Sequence, residues 1–310
     1  MFQAMLKHRC EQANSLLCVG LDSQYSQISE KIINVLVKKG LASNISPVSV
    51  IHGFNRAIIT ATRDFVCSYK LNLAFYEGLD GLEALEQTIE FILHHISDHP
   101  IILDAKWGDT AKTNEAHAKL AFDVLGADAV IVSPYFGGEA LKPFLERTDK
   151  GVIVVCRTSN PGAKELQDLI TPLKLLPKEA EEFFESKWKV LEAVYLYEYV
   201  AYCASQKWNK NRNVLLVVGA TYPEEMKRVR KIVGNMPILS PGIGDQGGDL
   251  KAIVKAGFDS NGLGVIPAVS RKVIFASRGE DFMEAAGREA KRLRDQINAA
   301  RAQILGGKEN

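Results

Sequence analysis

Residues 99–134 read HPIILDAKWGDTAKTNEAHAKLAFDVLGADAVIVSP, and the order of patterns in this stretch decides the fold. IILDAK (101–106) is a short apolar run that ends in charge. EAHAKLAFDVL (115–125) has helical spacing, and Gly126 suits the position just past a helix end. AVIVSP (129–134) is a second short apolar run. Runs of this length, bounded by Gly, Pro, Asp or Ser, read as strands buried on both faces. The stretch is therefore strand, helix, strand.

The same alternation continues outward in both directions. LLCVGL (16–21) and FVCSYKL (65–71) precede it; VIVVCR (152–157), VLLVVG (214–219) and MPILSP (236–241) follow it. A weaker eighth run, FDSNGLGV, spans 258–265. Between them lie helical patterns: Leu82, Leu85, Ile89 and Ile92 fall on one helix face, and PEEMKRVRKIV (223–233) opens on Pro223, where the missing N–H costs nothing. Eight alternations in 310 residues predict a (β/α)8 TIM barrel, with an open doubly wound sheet as the alternative. The expectation is one barrel domain over 1–310, with insertions near 23–49 and 163–186. Trp188, Tyr195, Tyr197 and Tyr199 are expected on a helix.

Thirty-eight basic residues against 37 acidic leave almost no net charge, which argues against a nucleic-acid binder. No stretch approaches the roughly 20 apolar residues of a membrane span, and the first fifteen residues lack an apolar leader core. Five scattered cysteines form no CxxC pair and suit buried thiols of a cytoplasmic protein. His94, His95 and His99 cluster at a helix end, without the spacing of a metal site.

Barrel chemistry sits at the C-terminal ends of the strands. Asp22 ends the first run, Lys70 lies in the second, and Asp104 and Lys106 end the third, with Asp109 just beyond. Arg157, Thr158, Ser159 and Asn160 end the fifth, and Ser270 and Arg271 follow the eighth. In a strand Asp104 and Lys106 share a face, and Lys70 is one strand away. Such an array fixes pKa values and holds a lysine ready to deliver a proton; the lesser reading is an ion-pair network that only closes the barrel mouth. Gly242-Ile243-Gly244-Asp245-Gln246-Gly247 matches GxGxxG, but it follows seven strand-like runs rather than opening a first βαβ unit. Its place favours a phosphate loop over a dinucleotide site, with Arg271 as an added clamp; simple turn glycines are the remaining reading.

DAKWGDTAKT (104–113) resembles the D-x-K-x-x-D motif of the orotidine 5′-phosphate decarboxylases. CVGLD (18–22), YKLNLAFYE (69–77), RTSNPGA (157–163), SPGIGDQGGD (240–249) and SRKVIFA (270–276) agree in the same order, closest to the longer bacterial (type 2) branch. The resemblance covers essentially the whole chain. It implies a homodimeric barrel with shared active sites and without metal or organic cofactor, a carboxy-lyase converting orotidine 5′-monophosphate to uridine 5′-monophosphate and carbon dioxide in pyrimidine biosynthesis. By motif, it makes Lys106 the proton donor to C6, places Asp104 beside the departing carboxylate, and assigns Lys70 to the charged network and the ribose. Asp22 resembles a ribose ligand, Ser159 a pyrimidine contact, and Gln246 and Arg271 phosphate ligands; Asp109 and Thr113 are expected to reach the partner's site. Relatives usually carry Arg and Ile where Trp107 and Thr110 stand. Trp107 is expected to point away from Lys106, and Thr110 to make the pocket around the base slightly more polar. Metal-dependent sister enzymes, hexulose-phosphate synthase and keto-gulonate-phosphate decarboxylase, share the D-x-K-x-x-D core, but the 157–163 and 240–249 blocks favour the orotidine branch. A catalytically dead phosphate-binding relative would lack some of the charged core, all of which is present.

Overall fold

The computed structural model describes residues 2–78, 81–188, 190–243 and 249–306. Eight parallel strands close into a barrel: β1 (Cys18–Gly20), β2 (Ser68–Asn72), β3 (Ile101–Trp107), β4 (Ala129–Val132), β5 (Gly151–Arg157), β6 (Val214–Val218), β7 (Ile238–Pro241) and β8 (Val265–Val269). Each strand pairs with its neighbours in sequence, and β1 closes the ring by pairing Val19 with Tyr69 of β2 on one side and Val269 of β8 on the other. With helices outside and side chains filling the interior, the strands are covered on both faces. That is why β4 and β6 are unbroken apolar runs, AVIV and VLLVV, buried throughout.

The eighth strand begins where the sequence reading ended it. Phe258 ends the preceding helix, and 259–264 form a turn in which the Asp259 carboxylate accepts from the backbone N–H of Asn261 and Leu263. Gly262 and Gly264 adopt positive φ there, 68° and 86°. The helix at Gly81–His95 buries Leu85, Ile89 and Ile92 as expected, but Leu82, in its first turn, is half exposed. An N-terminal helix, Phe2–Gln12, which the sequence reading passed over, buries Phe2 and Leu6, and at the start of β5 a side chain on Gly151 would collide with Phe2. The C-terminal helix Phe282–Gly306 meets the helix Pro47–Thr62 through Phe54, stacked between Phe275 and Phe282 at 5.4 and 5.6 Å.

Two connections are elaborated. Between β1 and β2 run helices Glu30–Lys38 and Pro47–Thr62, capped by Ser29 and Ser46. Between β5 and β6 lies a two-stranded antiparallel ribbon, Ile170–Pro172 with Ala193–Tyr195, flanking the helix Lys178–Lys187. Tyr197 and Tyr199 are on the helix Leu196–Tyr202 that follows, but Tyr195 belongs to the ribbon and Trp188 has left its helix in an extended conformation. Aromatic spacing alone does not separate these two backbones.

Candidate active site

The C-terminal mouth of the barrel opens on a cavity of about 460 Å³. Its charged wall comes from three adjacent strands. β2 carries Lys70 inward, β3 carries Asp104 and Lys106, and Asp22 follows β1. Lys70 Nζ donates to Asp22 Oδ1 at 3.3 Å and to Asp104 Oδ2 at 3.0 Å, while Lys106 Nζ donates to Asp104 Oδ1 at 2.5 Å. The charges alternate along one line: Asp22, Lys70, Asp104, Lys106.

Burial by itself would lower the Lys70 pKa and raise that of Asp104, since both charged forms lose solvation. The neighbouring charges win in both cases. The carboxylates of Asp104 and Asp22 carry the Lys70 ammonium well above the usual lysine range. Lys70 and Lys106 hold the Asp104 carboxyl below the usual carboxylate value. The two lysines differ in access: the Lys106 side chain is 50% exposed, that of Lys70 only 6%. Lys106 can therefore exchange protons with solvent, whereas Lys70 is locked between two carboxylates.

Lys106 is held unusually. It has φ +54°, a left-handed conformation that a non-glycine residue adopts at a cost. The β3–β4 register shifts between Leu103 and Trp107, an irregularity at the strand end. Alternation puts Asp104 and Lys106 on one face, and at this irregular strand end the two side chains meet. Trp107 lies outside the cavity, as expected, stacked on His117 at 4.3 Å. Two residues past Lys106, Gly108 packs against β4 so closely that a Cβ would lie 2.5 Å from the Ser133 carbonyl oxygen.

Ser159 and Arg271 line the same cavity, with Thr158 and Asn160 beside Ser159 and with Gly242 and Ile243 entering from the loop after β7. Gly242 has φ +98°, which only glycine adopts readily. Gln246 lies outside the described residues. Asp109 and Thr113 do not join the cavity; both are exposed. The main chain of Asp109 is pinned by buried Asn114, whose Nδ2 donates to the Asp109 carbonyl at 2.8 Å. Thr110 is also exposed and does not line the cavity, so it does not tune the polarity there. Arg157 is corrected too: it is fully buried and turned away, its Nη2 donating to Asp168 at 3.2 Å and its guanidinium stacked over Tyr222 at 4.1 Å. Asn72 and Phe75 line the cavity and were not singled out from sequence. Asn72 stands two residues past Lys70 on β2, so the same alternation could have found it.

The five cysteines are buried and unpaired. His95 stacks on Phe91, and buried His99 contacts the Arg63 carbonyl through Nε2. Among the described residues no group of three or more His, Cys, Asp or Glu is placed to hold a metal ion, and no helix is long and apolar enough to cross a membrane.

Residues 15–286 match the orotidine 5′-phosphate decarboxylase / HUMPS family. The orotidine 5′-phosphate decarboxylase of Cellvibrio japonicus is 41% identical over 301 residues, 97% of this chain and 99% of that protein. Among solved structures, Leishmania donovani OMP decarboxylase superimposes with a TM-score of 0.74 at 34% identity, covering 97% of this chain and 98% of that one. Leishmania donovani UMP synthase gives 0.75 at 35% identity, covering 96% of this chain but 56% of that one.

Proposed function

The chain belongs to the orotidine 5′-phosphate decarboxylase / HUMPS family and is an orotidine 5′-phosphate decarboxylase of pyrimidine biosynthesis, and we propose that the Asp22–Lys70–Asp104–Lys106 array carries its chemistry. The observation that supports this most strongly is the half-exposed Lys106 ammonium, held on a buried carboxylate at the cavity wall.

When the bond between C6 and the carboxylate of orotidine 5′-monophosphate breaks, carbon dioxide leaves and the electron pair stays in the ring plane, where the π system cannot spread it. A fixed cation beside C6 is what a protein can supply. Lys106 stabilises this charge, then transfers a proton to C6 and regains one from water through its exposed side. Asp104 sits beside the departing carboxylate and disfavours it by like charge, with both its oxygens already held by lysines. Lys70, fixed by two carboxylates, keeps Asp104 ionised and reaches towards the ribose with Asp22.

In the same reading Ser159 contacts the pyrimidine, and Gln246 and Arg271 hold the phosphate, whose binding energy helps position the distant reacting bond. Asp109 and Thr113, exposed and outside their own cavity, serve the partner's ribose in a homodimer with shared sites. The 310 residues form one barrel domain with insertions near 23–49 and 163–186, working in the cytoplasm, where the five unpaired thiols stay reduced. Titrating the protein with orotidine 5′-monophosphate and following its ultraviolet absorbance tests the activity. Loss of absorbance with formation of uridine 5′-monophosphate supports the reading; an unchanged spectrum refutes it.

A further inference from the structure

We propose that Gln167, on the segment inserted between β5 and β6, is a positioning residue that sets the Thr158–Asn160 turn against the pyrimidine ring. The inference deepens the reading above and rests on its assignment of this turn to the base. Thr158, Ser159 and Asn160 all line the cavity that holds Lys106. No strand pairing holds them, because β5 ends at Arg157. Beside the Asn160 carbonyl, which accepts from Ala163 N at 3.1 Å, the turn is tied by a side chain nine residues past Thr158. Gln167 Oε1 accepts the Thr158 backbone N–H at 2.8 Å, and Gln167 Nε2 donates to Thr158 Oγ1 at 3.0 Å. The Thr158 hydroxyl then spends its one proton on Asn160 Oδ1 at 2.6 Å. Gln167 thus exchanges hydrogen bonds with Thr158 in both senses, and the Thr158 hydroxyl extends the network to Asn160.

Gln167 is itself anchored on three sides. Its N–H donates to the Ala163 carbonyl at 2.8 Å, its carbonyl accepts from Tyr197 N at 3.1 Å, and Arg157 Nη1 approaches its Oε1 at 3.4 Å. Arg157 is in turn fixed by Asp168, the next residue, with Nε 3.0 Å from Oδ1, and by a donation from Nη1 to the Thr158 carbonyl at 2.8 Å. Both backbone groups of Thr158 are therefore tied into this clamp. Gln167 does not line the active-site cavity, so its effect on a ligand must pass through the turn. The inserted segment thereby acquires a role: it is the frame against which the base-facing turn is set.

The test compares two ligands that differ by the base, uridine 5′-monophosphate and ribose 5-phosphate, by calorimetric titration of the full chain. In Gln167→Ala the affinity for uridine 5′-monophosphate should fall about tenfold, the size of one or two lost hydrogen bonds. Ribose 5-phosphate should bind within about twofold of wild type, because Asp22 and Arg271 are untouched. Gln167→Glu, which keeps an acceptor for the Thr158 N–H and for Arg157, should recover much of the loss; it also carries the comparison should the alanine variant fail to fold. Unchanged uridine 5′-monophosphate binding, or equal weakening of both ligands, overturns the inference. A wild-type chain that does not bind uridine 5′-monophosphate refutes the decarboxylase reading itself, a separate outcome.

Discussion

Asp104 is the residue on which the charged wall turns, since each of its oxygens is held by a different lysine. Its carboxyl is held below the usual value, so its contribution to stability is present above the ordinary carboxylate range and is lost as pH falls through the lowered value. Lys70 has the opposite sign: its raised pKa contributes stability below the ordinary lysine range, lost only as pH rises through the raised value. Between about pH 5 and 9 the pair keeps one charge state. Asp104→Asn should cost about 3 kcal/mol, softened by Asp22, which still faces Lys70. Denaturant unfolding of both proteins should show a constant difference across that window and a narrowing one below about pH 4. A difference that does not respond to acid would place the Asp104 charge outside the stability of the fold. The types and spacing of these residues were legible in the sequence, because charge is rare at the end of a buried strand. The direction of Arg157 was not: its partner Asp168 lies in a connection whose path no periodicity reveals.

At the level of elements, the end of β3 does more than a strand usually does. The register with β4 shifts there, Lys106 is left-handed, and Gly108 lets the chain pass against the end of β4. Gly108→Ala forces a Cβ to within 2.5 Å of a backbone carbonyl that cannot give way cheaply. We expect about 1–3 kcal/mol of destabilisation and a fall in kcat/KM, since the strained turn at Lys106 is two residues away. Thermal unfolding and steady-state kinetics check this, and wild-type values in both would contradict it. The seven stronger strands were readable because a strand buried on both faces must be apolar throughout. β8 was misplaced because Leu263 and its flanking glycines imitate a strand while the Asp259 side chain closes a turn around them. The register shift was invisible, as nothing in IILDAKW marks it.

Taken whole, the molecule leaves Asp109 and Thr113 on the surface while the rest of the charged motif lines the cavity. If they complete a neighbour's site, Lys106→Ala and Asp109→Ala chains, each inactive alone, should restore activity when mixed. Equal amounts exchanging at random give about half hybrid dimers, each with one intact site, so about a quarter of wild-type activity should return. No recovery despite demonstrated exchange would make Asp109 a residue of its own chain's site. Chelators should leave turnover unchanged, because the oxygens of Asp104 are taken by ammonium groups that repel a divalent cation; loss of activity restored by magnesium would point to the chemistry of the sister enzymes. The most direct measurement is the rate at which wild-type and Lys106→Ala protein convert orotidine 5′-monophosphate in D2O, followed as uridine 5′-monophosphate deuterated at C6. The expected result is one deuterium at C6 and a fall in the variant of about 10⁴-fold or more, combining the lost proton donor with the lost cation. A variant that still forms the product at near wild-type rate would contradict the role of Lys106.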